Sequence, residues 1–167
     1  MKKIILVAAI TVFLGACAHV PLSTILEYRS FSIEELRYVD AVEIKARAKV
    51  DGGLELSEIG NSLELSFPDG AFSFPLIYEE KEKIGNTNIY ELKLSDQGLR
   101  DYALFKSYLE RNPHSRNFDL NISSKFEKPG PGVKEARISI FVKLGAESEY
   151  VEILSGYPVD LSSPGPA

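Results

Sequence analysis

From residue 42 onwards, apolar and polar residues alternate with period two through most of the chain. In VEIKARAKV, Val42, Ile44, Ala46, Ala48 and Val50 fall on one side and Glu43, Lys45, Arg47 and Lys49 on the other. That pattern predicts a half-buried strand with a charged outer face. Asp51-Gly52-Gly53 ends it. Leu63, Leu65 and Phe67 alternate next, then Phe72, Phe74 and Leu76, with Pro68-Asp69-Gly70 between them. Pro68 fixes its own φ and Gly70 is placed to supply a positive one, so these two runs predict a hairpin. A second hairpin is predicted around IGNTN, residues 84–88, leading into IYELKL. Later strands are predicted in NFDLNIS, in EARISIFVKL and in YVEIL, residues 150–154, set apart by KPGPG and a Gly145-Ala146 turn.

One segment breaks the alternation. In SDQGLRDYALFKSYLERNP, Ser95 or Asp96 is placed as N-cap, Leu99, Tyr102, Ala103, Lys106 and Leu109 recur at helical spacing, and Pro113 ends the run. Phe105 and Tyr108 fall off that stripe, which predicts a second covered face. Ser32 and Glu35 fit a capping box for a shorter helical turn. Seven or so antiparallel strands with one helix inserted near 96–111 predict an all-β domain, a β-sandwich, with a small β-barrel as the alternative. Parallel βαβ units need a helix between most strands, and only one is predicted.

The N-terminus is a different kind of segment. Lys2 and Lys3 precede the apolar run Ile4 to Phe13, broken only by Thr11, and small residues Gly15 and Ala16 follow. This is the layout of a secretory signal peptide. The run is shorter than the roughly 20 apolar residues that span a bilayer. It ends in Leu14-Gly15-Ala16-Cys17, and Cys17 is the only cysteine. These four residues resemble the lipobox of bacterial lipoproteins. The resemblance implies a diacylglyceryl group on the Cys17 thiol, cleavage before Cys17 and acylation of the new amino group. Two or more chains anchor stably where one does not. Ala18, in place of the Asp that favours inner-membrane retention, implies the periplasmic face of the outer membrane if the cell is Gram-negative. The expected organisation is a cleaved leader over 1–16, a lipidated tether over 17–23, one domain over 24–161 and a disordered tail over 162–167.

Charge narrows the partners. The chain carries 19 basic and 24 acidic side chains, and loss of Lys2 and Lys3 with the leader leaves 17 basic ones. An acidic domain without clustered Lys and Arg is a poor match for nucleic acid or anionic head groups. The membrane contact is therefore expected through the lipid on Cys17. The remaining 151 residues make one ordinary domain that needs no disulfide to fold.

No enzyme motif appears: no G-x-S-x-G, P-loop, dinucleotide-binding glycine pattern or H-E-x-x-H. The histidines are His19, on the tether, and His114. A triad or a zinc site needs more than the single His114. No cofactor and no metal are expected. Arg111, His114 and Arg116 in ERNPHSR form a candidate anion patch, although cations at a helix C-terminus also complement the helix dipole. EEKEK at 79–83 offers carboxylates for acid–base work, but mixed signs on an edge more often guard it against aggregation. Asn117, Asp119, Asn121 and Ser123 share one strand face and carry oxygens suited to calcium. A flat row does not wrap around an ion. The eight tyrosines suit interfaces or strands, and Tyr157 beside Pro158 is placed for exposure.

YRSFSIEELRYVDAVEIKARAKV, YELKLSDQGLRDYALFKSYLE and YVEILSGYPVDL together resemble a loose group of bacterial lipoproteins of unknown function. That resemblance implies one domain and no activity. The expected function is a lipid-anchored, non-enzymatic envelope module that binds another envelope protein. The alternative is a periplasmic carrier of a small ligand or lipid, and a carboxylate hydrolase using His114 ranks third.

Overall fold

The computed structural model describes residues 18–21, 36–113, 118–127 and 133–161. The leader, Cys17, the Ser32/Glu35 capping box, His114, Arg116, Asn117, the KPGPG loop and the tail lie outside the described residues.

Among the described residues eight strands form the sheet: β1 (Ala18–Pro21), β2 (Ile44–Asp51), β3 (Asn61–Phe67), β4 (Gly70–Ile84), β5 (Thr87–Leu94), β6 (Asp119–Ser123), β7 (Glu135–Leu144) and β8 (Val151–Asp160). Helix α1 (Asp96–Arg111) follows β5. The strands pair antiparallel throughout, in the order β1-β6-β3-β4-β5-β2-β7-β8. The all-β antiparallel class with one inserted helix therefore holds. In place of two separate sheets there is one continuous, curled sheet, nearer the barrel alternative. Its two outer strands, β1 and β8, come within 8 Å of each other between Cα atoms. Ala18–Pro21, expected in the tether, are strand β1.

Strand β4 is the reason the sheet curls. Its first half, Gly70 to Leu76, pairs with β3, and its second half, Leu76 to Ile84, pairs with β5. Only Leu76 has a partner on both sides, Asn61 and Leu94. The register then shifts between Tyr78 and Glu80, a bulge that adds bend and twist. Pro75 precedes the switch. Its carbonyl accepts from the Ser95 N–H at 2.9 Å, so the same edge needs no N–H from residue 75. The two halves of the sheet share β4 and face each other across one core. Leu63, Leu65 and Leu120 come from one half and Ile44, Val142 and Leu94 from the other.

The two ends of this curled sheet are covered. At the end where β5 finishes, α1 lays Tyr102, Phe105 and Leu109 over Phe67, Phe72 and Phe74, with Phe105 fully buried. The Ser95 side chain caps the helix, accepting from the Gly98 N–H at 3.0 Å. The buried face is Gly98, Tyr102, Phe105 and Leu109, while Ala103 is exposed. Phe105, off the expected stripe, lies at its centre because the aromatic rings of the β3–β4 hairpin reach it there. At the other end, residues 52–60 fold inward and bury Leu54 and Leu56. Three side chains hold that loop by its backbone. Asn88 donates to the Leu54 carbonyl, Tyr78 to the Leu56 carbonyl, and Tyr90 accepts from the Leu56 N–H.

Two local expectations change. Val42 lies in a 3-10 turn, Ala41–Glu43, with its N–H held by the Asp40 side chain, and it is exposed; β2 begins at Ile44. The first hairpin turns on Pro68 and Asp69. Gly70 pairs with Phe67 and is not among the positive-φ glycines, since a turn led by proline needs no positive φ at its last position. The second hairpin does use one: Gly85, φ 62°, in a two-residue turn between Ile84 and Thr87.

Candidate functional site

Of the expected anion patch, only Arg111 lies among the described residues. It is exposed in the last turn of α1, and its Nε donates to the Ser107 carbonyl at 3.1 Å, a contact within the helix end. EEKEK runs along the second half of β4, exposed throughout, as a charge ladder. Glu79 binds Lys45 at 2.6 Å and lies 3.7 Å from Lys93, and Lys81 binds Glu55 at 3.2 Å. Asp119, Asn121 and Ser123 share one face of β6, half-buried. Among the described residues, no three of His, Cys, Asp and Glu gather to hold a metal ion.

The core holds little free space. Its cavity is about 30 Å³, walled by side chains such as Leu36, Ile44, Phe74, Tyr102 and Val142. That is room for about two waters, and a void walled only by apolar side chains stays dry. Small-molecule sites run to roughly 300 Å³ and more.

The outer face of β5, β2 and β7 carries the strongest charge pattern. Lys93, Lys45 and Lys143 stand in one register row across three neighbouring strands. Like charges directly opposite repel. Glu79 offsets the row from the next strand; its bond to Lys45 raises the lysine's pKa and lowers the Glu79 pKa. One step along, Arg47 binds Glu91 and lies with its guanidinium carbon 4.0 Å from the centre of the Tyr150 ring. Tyr150 donates to the other Glu91 oxygen at 2.5 Å. Burial, then this bond, pushes the Tyr150 hydroxyl well above its usual pKa. These contacts pin the β7–β8 connection over the sheet. Acidic Glu79, Glu80 and Glu82 follow on β4, so the face as a whole mixes both signs.

An open concavity of ligand size lies at the bend of β4, with a volume of about 380 Å³. Ile59, Gly60 and Asn61 line it from the loop before β3 and its first residue, Ser73, Pro75, Leu76 and Ile77 from β4, and Ser95 from the junction of β5 and α1. The bend creates it: β3 begins and β5 ends on either side of Leu76, leaving a gap along the outer side. The loop before β3 is fixed in place. Ser57 N–H donates to the Lys125 carbonyl at 2.8 Å, and Asn61 Nδ2 donates to the Ser57 carbonyl at 2.7 Å. Gly60 adopts φ 81°, with the Lys125 chain where a Cβ would stand. Asn61 is buried, and its Oδ1 has no hydrogen-bond partner.

No family model, curated protein or solved structure matches the chain.

Sequence reasoning did not find this groove. Its walls come from three stretches that only the bend of β4 brings together. One signal was present: in SEIGNS, Ile59 stands apolar between polar neighbours and outside any strand period.

Proposed function

We propose that the protein is a lipid-anchored cell-envelope module that acts by binding another protein on its outer surface, without catalysis. The observation that carries this reading is the close packing of the interior among the described residues. Among the described residues both ends of the curled sheet are covered, and the apolar void between them is about 30 Å³. What such a domain binds, it binds outside. The carrier alternative needs roughly ten times that space. The anchor enters through the resemblance of Leu14-Gly15-Ala16-Cys17 to the lipobox, and the outer membrane through Ala18. The test is cross-linking in living cells with the parent chain and Cys17→Ser. Discrete protein partners that weaken with Cys17→Ser support an anchored binding module. Bound lipid in native mass spectra, with no protein partner, would replace it with the carrier.

A further inference from the structure

We infer that the groove at the bend of β4 receives an extended segment of the partner, one that places an aliphatic side chain beside a lysine or arginine. The inference rests on the protein-binding reading above and names the chemistry of the partner at one site.

Three observations lead there. Large apolar side chains exposed on the described surface are mostly scattered, but Ile59, 74% exposed, and Ile77, 43% exposed, meet in this groove. A single exposed isoleucine is ordinary; two lining one concavity are the mark of a contact site. The loop that offers Ile59 is held by two backbone-anchored hydrogen bonds and a left-handed glycine, so Ile59 is presented without the entropic cost of ordering a free loop on binding.

The charge around the groove sets the second half of the partner's chemistry. Glu58 is the one charged residue among those that line it, and Glu64 accepts from Ser62 Oγ at 3.3 Å. On the cationic side, Lys93 stands opposite Ile77 in register, near Glu79, and Lys125 packs its chain against Gly60. The charge that lines the groove itself is acidic, which favours a cation on the incoming segment.

Two experiments test this on the full chain. In cells, the cross-linked partner is compared between the parent protein and the variants Ile59→Asp and Glu58→Lys, both at exposed positions, with melting temperature as the folding control. A loss of at least about tenfold in cross-linked partner with either variant is expected. Partner bands that persist unchanged in both would overturn the groove while leaving protein binding intact. No bands with the parent chain would overturn the protein-binding reading and this inference with it. A product of twice the chain's mass would replace the foreign partner with a second copy. On the purified protein, an acetylated peptide alternating isoleucine and lysine should shift the amides of Ile59, Gly60, Ser73, Ile77 and Ser95. Its isoleucine–glutamate counterpart should bind at least about tenfold more weakly. Equal binding of the two peptides, or shifts centred elsewhere, would refute the assignment.

Discussion

The fully buried hydroxyl of Tyr90 accepts a hydrogen bond at 3.2 Å from the backbone N–H of Leu56, which lies 34 residues earlier in the chain. This contact and its neighbour from Tyr78 make the sheet hold the loop that closes one of its ends. Tyr90→Phe keeps the ring and removes the acceptor. The Leu56 N–H is then buried without a partner, which costs about 1–3 kcal/mol. An unfolding free energy lowered by that amount, seen as a lower urea midpoint with the slope unchanged, is the expected result.

Gly98 marks the closest approach of helix to sheet. A Cβ there would stand 2.6 Å from the Pro75 carbonyl oxygen, and that oxygen is already fixed by the Ser95 N–H. Alanine normally favours a helix over glycine by about 1 kcal/mol. Here the clash outweighs that gain, and Gly98→Ala should destabilise by about 1–3 kcal/mol. A rise in thermal stability would show that α1 can slide on β4.

Stability should fall in alkali. Burial raises the Tyr102 pKa, and burial is also the leading cause at Tyr78 and Tyr150. A folded-state pKa above the unfolded value of about 10 means the unfolded chain loses its proton first. The contribution is whole below pH 10 and is lost as pH rises toward the folded value. For Tyr102, 3% exposed, the slope approaches about 1.4 kcal/mol per pH unit once the unfolded side chain is ionised. Denaturant midpoints from pH 9 to 11 should drop, and Tyr102→Phe should flatten the decline while losing the bond to the Leu36 carbonyl.

Glu79 is the counterion of the lysine row. Glu79→Gln should cost under about 1 kcal/mol, because Lys45 and Glu79 are both partly exposed. The loss should shrink as salt rises. With its pKa lowered by Lys45, Glu79 adds stability above the ordinary carboxylate range, and that share is lost as pH falls through its folded pKa. A salt-independent loss would mean the bond, not the charge, carries the effect.

The sequence was legible where a residue's fate depends on its near neighbours. Alternation located β2, β3, β6 and β7, a turn signal located β5, and of the two cap candidates, Ser95 and Asp96, Ser95 caps the helix. It failed where distant partners decide. Helical spacing put Ala103 on the stripe and Phe105 off it, since the rings of Phe67, Phe72 and Phe74 that claim Phe105 lie on another hairpin. The second half of β4 carries no apolar alternation after Tyr78, yet it runs on to Ile84 because β5 supplies its backbone partners. The groove depends on where one strand exchanges one neighbour for another, and no local pattern encodes that exchange.

Strand β4 has a consequence for how the molecule comes apart. Each half of the sheet owns part of the same 15-residue strand, and both halves contribute to one buried hydrophobic cluster. Melting either half strips the partner of a strand and of half its interior. The chain should therefore lose its structure in a single step, with circular dichroism and tyrosine fluorescence tracing one superimposable curve. A nick in β4 near Leu76 would dissolve both halves at once.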